Sequence, residues 1–270
     1  MTEYRNEYSN SKDTNFYFLG DSVLRDAMIT LLNYYESDNS HLLTRNDGKR
    51  NCEKYLARDF GCFMDSANFS AQFFWFQWYS LPHRLHGTTF QSAQEVDICS
   101  SYHASNKSMA QCLTHILVNV TAADTIVFRV GLNYLLFEPI MDSWSDKFTE
   151  DLKSFLRVLH SLTNGRVVFL LLGPVMEYGQ SKSVCLGDGF WDRTFFLMNP
   201  KIRRLNNITR QLVTSSGYFV IDPWNYTTPS VMVTEYLDCV HPAVSKSIHI
   251  TTVSHILNVS LVQVERTSGF

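Results

Sequence analysis

The sequence predicts an α/β fold: a mostly parallel, five-stranded sheet in a three-layer α/β/α sandwich. Two observations predict it. Short apolar runs alternate with segments of helical periodicity along the chain, which is the pattern of strand–helix–strand units. The fourth and fifth strand candidates, Arg166–Leu172 and Tyr218–Ile221, are nearly all apolar rather than alternating, as strands covered on both faces are. No repeat, linker or low-complexity tract intervenes. Residues 15–270 therefore read as one domain behind a polar tail, 1–14.

The elements follow in chain order. Asn15–Leu19 is an aromatic-rich run that reads as the first strand and ends at Gly20-Asp21-Ser22. Val23, Leu24, Ala27, Met28, Leu31, Leu32 and Tyr35 then recur at helical spacing. Leu43–Asn68 is mixed and reads as loop. Ala71–Tyr79, stopped near Pro82, is the second strand candidate. Met109–Val120 places Met109, Cys112, Leu113, Ile116, Leu117 and Val120 on one helical stripe. Thr125–Val130 is the third strand, ending at Gly131-Leu132-Asn133. Phe148–Leu162 is an amphipathic helix, and Arg166–Leu172 a strand broken by Gly173-Pro174. Cys185–Asp192 reads as a Gly-rich loop, Lys201–Ser215 as a helix and Tyr218–Ile221 as the fifth strand. The last helix is expected from Pro242 or Ala243 to about Leu257.

Composition narrows the function. A chain that is 45% hydrophobic can offset its own ordering entropy, which excludes wholesale disorder. Lys and Arg total 23 against 26 Asp and Glu, a net charge of -3 with no basic run, so nucleic acid is not the expected partner. The longest apolar runs, Val167–Val175 and Phe73–Trp78, fall short of the roughly 20 residues that span a bilayer. Attachment to a membrane would need a segment outside this sequence.

The compartment is read from two conflicting signals. The six cysteines (Cys52, Cys62, Cys99, Cys112, Cys185, Cys239) fit three disulfides, or equally a reduced protein with scattered small core residues. Six N-x-S/T sequons begin at Asn68, Asn106, Asn119, Asn207, Asn225 and Asn258. Chance gives roughly three at ordinary composition, so the excess points to the secretory pathway. The hydrophilic start, Met1–Asn10, is no signal peptide. The expectation is a luminal or extracellular domain whose targeting segment lies elsewhere; the alternative is a cytoplasmic protein.

In an open parallel sheet, ligands bind outside the carboxyl ends of the strands. Three such ends carry suggestive residues. Ser22 follows the first strand at a helix N-terminus, where backbone N–H groups and the helix dipole favour developing negative charge. The plain alternative is that Asp21 or Ser22 caps the helix. Asp238-Cys239-Val240-His241-Pro242 precedes the last helix. A serine needs an adjacent base, usually a histidine oriented by a carboxylate, and Asp238 and His241 could supply both from one loop. The plain alternative is a solvated loop with a helix-starting proline. Asn133, after the third strand, could donate to an oxyanion or simply form a Gly-Asn turn. The three fall on one predicted edge of the sheet.

Gly20-Asp21-Ser22, Gly131-x-Asn133 and Asp238-x-x-His241, in that order, resemble the SGNH (GDSL-type) hydrolase superfamily. The opening Gly20-Asp21-Ser22-x-x-Arg25 and the stretch Val220-Ile221-Asp222-Pro223-Trp224 resemble its PC-esterase branch, over about Phe16 to Leu257. That branch includes polysaccharide O-acetyltransferases, the luminal domain of a sialic acid O-acetyltransferase and neurexophilin-like C-terminal domains. The resemblance implies a flavodoxin-like sheet and serine-dependent acyl-ester chemistry. It implies Ser22 as nucleophile, His241 as general base and Asp238 as its orienter. The Ser22 N–H and Asn133 would hold the oxyanion. Two departures stand out. Tyr134 occupies the position of the Asp that usually follows Asn133. The second-block glycine has no clear counterpart: Trp78-Tyr79-Ser80-Leu81-Pro82 places Ser80 there, with Gly61 and Gly87 as other candidates.

Arg25, one turn after Ser22, is expected to orient the turn or bind a substrate anion, or else to be a surface helix residue. His83 and His86 lack a third ligand at zinc spacing, so no metal or cofactor is expected. Trp75, Trp78, Trp191 and Trp224 could stack on sugars or pack at the core rim. A Cys185–Cys239 disulfide would brace the His241 loop. His160, His249 and His255 fall on helical patterns and read as structural. The expected partners are an acyl donor with a glycan, or a small ester. The rival readings are a non-catalytic luminal binding protein and a cytosolic ester or lipid hydrolase.

Overall fold

The computed structural model describes residues 15–35, 61–65, 70–75, 113–114, 116–131, 135, 144–176, 198–236 and 240–261. The strands are β1 (Asn15–Gly20), β2 (Gly61–Asp65), β3 (Ser70–Trp75), β4 (Thr125–Phe128), β5 (Arg166–Leu170) and β6 (Phe219–Ile221). The helices are α1 (Ser22–Tyr35), α2 (Trp144–Leu162), α3 (Met198–Ser215), α4 (Pro229–Glu235) and α5 (Ser247–Leu261), with a 3₁₀ turn at Pro223–Asn225. The tail 1–14, the Cys185–Asp192 loop and the proposed Cys185–Cys239 pair lie outside the described residues, as do His83, His86, Trp78 and Trp191.

The strands form one sheet in the order β2-β3-β1-β4-β5-β6. β1 is central: Phe16 aligns with Ala71 on β3 and with Thr125 on β4, both parallel. The five parallel strands follow the flavodoxin-like order, with the change of winding direction beside β1.

Alternation along the strands divides the core into two layers. On one face Tyr17, Leu19, Ile126, Phe128, Val167 and Phe169 pack against α2 and α3. On the other, Phe16, Phe18, Val127, Val168 and Leu170 pack against α1 and α5. In α2 the buried Phe148, Leu152, Phe155, Leu156 and Leu159 form one stripe, as the periodicity predicts. Phe128 meets Phe155 edge-on at 5.2 Å and stacks with Phe169 at 5.3 Å. Burying each such side chain is worth about 1.5–3 kcal/mol.

The buried Asp124 ties the amino ends of β1 and β4 together. Its Oδ1 accepts from the Asn15 N–H and the Asn15 amide, both at 2.9 Å. Its Oδ2 accepts from the Thr121 N–H at 2.7 Å and the Thr121 hydroxyl at 2.9 Å. Burial, then the Asp124 charge, pushes the Tyr17 hydroxyl above its ordinary range.

Three corrections to the sequence expectations stand out. A sixth strand, β2, lies inside the segment read as loop; it pairs antiparallel at the sheet edge, where a single short pairing leaves little periodicity to detect. α4 was not expected, and its Thr228 cap and Pro229 start are the local signals for it. The last helix begins at Ser247 rather than Pro242, because Pro242 bridges back to Tyr236 and Ser245 adopts a left-handed φ of 62°. β3 is described over Ser70–Trp75, and the rest of the expected strand, Phe76–Tyr79, lies outside the described residues. Of Met109–Val120, Leu113, Thr114, Ile116 and Leu117 are helical.

Candidate active site

The carboxyl ends of β1 and β4 meet at the point where the winding reverses, and the candidate site is built there. Gly20 closes β1. A Cβ at this position would lie 2.8 Å from the Arg129 carbonyl oxygen and 2.8 Å from Leu24 Cδ2, so the close approach requires glycine. The chain then turns into α1 without a loop, which leaves Ser22 at its first turn.

Asp21 is the cap. Its Oδ1 accepts from the Val23 N–H at 3.1 Å and, more weakly, the Leu24 N–H at 3.4 Å. The capping alternative for this turn therefore falls to Asp21, and Ser22 is released for another role. The Ser22 Oγ lies 2.5 Å from His241 Nε2, across 219 residues of sequence. Both residues are half-buried. With the proton on the imidazole's other nitrogen, Nε2 accepts from the serine hydroxyl. That is the geometry of a nucleophile and its base.

Two sets of contacts hold the His241 turn. Glu235, the last residue of α4, accepts from the Ser247 hydroxyl at 2.6 Å and the Ile248 N–H at 3.1 Å, and so caps α5. Its carbonyl accepts from the Ala243 N–H at 2.7 Å. Ser245 is tied to α1: its N–H donates to Thr30 Oγ1 at 3.1 Å, and Asn33 Nδ2 donates to its hydroxyl at 3.2 Å. The helix that carries Ser22 thus also anchors the turn that carries His241. A cavity of about 20 Å³ lies beneath, lined by Arg129, Tyr236, Val240, Pro242, His249 and Thr252. A space of that size holds about one water.

Of the other expected site residues, Asp238, Asn133 and Ser80 lie outside the described residues, as do Asn68, Asn106 and Gly87. Gly61 begins β2 at the sheet's carboxyl edge, separated from β1 by β3. That is two strand spacings, about 10 Å, from the serine's strand. Arg25 is not a surface residue. It is 3% exposed, and its Nη2 donates to the buried Asp26 carboxylate at 3.0 Å. Trp224 donates its indole N–H to the Leu172 carbonyl at 3.0 Å and carries the Arg203 guanidinium 4.0 Å above its ring. His160 and His255 are exposed on α2 and α5, His255 stacking on Tyr226, and His249 is buried in α5. Among the described residues, no group of three or more His, Cys, Asp or Glu is placed to hold a metal.

Sequence reasoning missed Arg129. It is 4% exposed, ends the β4 run and donates through Nη1 to the second oxygen of Asp21. Its signal was present: a cation closing an otherwise apolar strand, at the edge where ligands bind.

No family model and no curated protein matches the sequence. Solved structures do match. Est24, a carbohydrate acetylesterase from Sinorhizobium meliloti, is 10% identical with a TM-score of 0.50, covering 91% of this chain and 97% of its own. The M. smegmatis aryl esterase is 11% identical with a TM-score of 0.48, covering 91% and 99%. At these identities the likeness is one of fold. With the strand order, it shows that this chain shares its fold with Est24.

Proposed function

We propose that this protein is a serine esterase or O-acetyltransferase acting on acyl esters, with O-acetylated glycans as the favoured substrates. The observation that carries the proposal is the 2.5 Å contact between Ser22 Oγ and His241 Nε2 at the N-terminus of α1. As the Ser22 oxygen bonds to the acyl carbon, its proton passes to His241 Nε2. The carbonyl oxygen takes the negative charge at the positive end of α1, where the Ser22 N–H and, on this reading, Asn133 and Ser80 donate. Asp238 orients the imidazole and stabilises it while charged. Collapse breaks the bond to the leaving alcohol, which receives the proton from His241. Water or a glycan hydroxyl then attacks the acyl-enzyme, giving up its proton to His241; collapse breaks the bond from the acyl carbon to Ser22 Oγ, which takes the proton back from His241, and the acid or the new ester leaves.

The glycan preference rests on the PC-esterase-like motifs and on the sequons. Asn119, Asn207, Asn225 and Asn258 are all exposed, as attached oligosaccharides require. Est24, which shares the fold, is a carbohydrate acetylesterase. A secretory location follows from the same reading.

The test is p-nitrophenyl acetate hydrolysis by wild type and Ser22→Ala, with and without glycan acceptors. Hydrolysis lost in Ser22→Ala supports the nucleophile. Acetylated glycan formed by wild type alone selects the transferase. Equal rates for the two proteins overturn the assignment and leave a binding protein with this fold.

A further inference from the structure

We infer that Arg129 is a positioning residue for the nucleophile, acting through Asp21; this rests on Ser22 being the reactive group. The two oxygens of Asp21 face different tasks. Oδ1 accepts from the first N–H groups of α1. Oδ2 accepts from Arg129 Nη1. The Arg129 side chain is 4% exposed and that of Asp21 12%, so the pair is largely withdrawn from solvent and its geometry is not diluted by water. Arg129 is itself fixed at its backbone, because its N–H donates to the Leu19 carbonyl at 3.0 Å. Its carbonyl oxygen is, with Leu24 Cδ2, one of the two atoms that a Cβ at Gly20 would meet at 2.8 Å. Backbone and side chain of one residue therefore bracket the three-residue turn Gly20-Asp21-Ser22 from β4.

The consequence is a fixed origin for α1. A helix start capped by an untethered carboxylate can rotate or fray by a fraction of a turn. Here the cap is anchored to the adjacent strand, and the first-turn serine inherits that anchor. Misplacing a reacting oxygen by about 1 Å can cost about 100-fold in rate. Arg129 need not touch the substrate to have that effect.

The test compares wild type, Ser22→Ala, Arg129→Met, Arg129→Lys and Asp21→Asn, each checked for folding by circular dichroism. Arg129→Met retains most of the stem volume beside the cavity. It is expected to lose about 100-fold in kcat with KM within about threefold, the signature of lost positioning rather than lost binding. Arg129→Lys keeps the charge without the planar fork and should recover about tenfold of that loss. The Asp21→Asn/Arg129→Met double variant should lose far less than the sum of the two single losses. If Arg129→Met does not fold, the Arg129→Lys rate and the coupling of Arg129→Lys to Asp21→Asn carry the decision. The inference is overturned by a folded Arg129→Met or Arg129→Lys with wild-type kcat, or by additive losses. Equal activity in Ser22→Ala and wild type would instead overturn the esterase reading.

Discussion

Two buried carboxylates sit at opposite ends of the sheet. At the amino edge Asp124 accepts four bonds, all from neutral donors of Asn15 and Thr121. At the carboxyl edge Asp21 accepts from two helix N–H groups and from a full cation, Arg129. The first arrangement is a clamp: every oxygen is consumed in joining β1 to the turn before β4. The second is a mount, which fixes a helix origin and keeps the next hydroxyl available. The same residue type therefore serves stability at one edge and, on the proposed function, chemistry at the other, and what separates the two sites is the identity of the donors.

This contrast can be broken experimentally. The largest effect is expected from Ser22→Ala, with a loss of about 1,000-fold or more in kcat and a melting temperature close to wild type, measured by ester hydrolysis and thermal scans. Asp124→Ala should invert that pattern. It leaves the Asn15 and Thr121 donors without their acceptor, costing about 3 kcal/mol in urea denaturation, while activity per folded molecule stays unchanged. Gly20→Ala should affect both, since the added carbon meets the Arg129 carbonyl and Leu24 at 2.8 Å. About 1–3 kcal/mol of overpacking strain and a reduced kcat are expected. Glu235→Gln removes the charge from the cap of α5. It should cost about 1 kcal/mol and lower kcat several-fold through the His241 turn.

The smallest effect concerns alkaline pH. Burial pushes the Tyr226 hydroxyl well above its ordinary range, against a partly offsetting bond to Thr252. The folded state thus holds this proton where the unfolded chain, titrating near pH 10, releases it. Stability should be full below about pH 10 and fall as pH rises beyond it. The slope of the urea midpoint above that pH should be shallower in Tyr226→Phe.

The sheet's parallel core and the Gly20-Asp21-Ser22 turn were legible because their signals are local. Asn15–Leu19, Gly20 and the stripe beginning at Val23 are contiguous, and the apolar runs of β4 and β5 need no partner to be recognised. α2 and α3 were likewise readable from periodicity, each starting a few residues earlier than expected because a first turn with one large apolar residue, Trp144 or Met198, is too little to show a stripe. β2 was not legible, since an edge strand of five residues is specified mainly by the neighbour it pairs with. Glu235, Ser245 and Arg129 were missed for a related reason. Each acts across a long sequence separation, through bonds to α5, α1 and Asp21. Arg25 shows the converse: its position left open a surface helix residue, but packing of α1 buries it against Asp26.

Ser22 and His241 stand 219 residues apart, yet they touch. β1 lies between β3 and β4, and α1, which follows it, packs on β1 and β3. α5 covers the same face of the sheet as α1 and packs against it. Until α5 docks, α1 lacks that second packing surface, and His241 has no fixed position relative to Ser22. On the proposed function, a chain with α5 undocked has its serine in place without being able to use it. Turnover would then report that this face of the fold is closed.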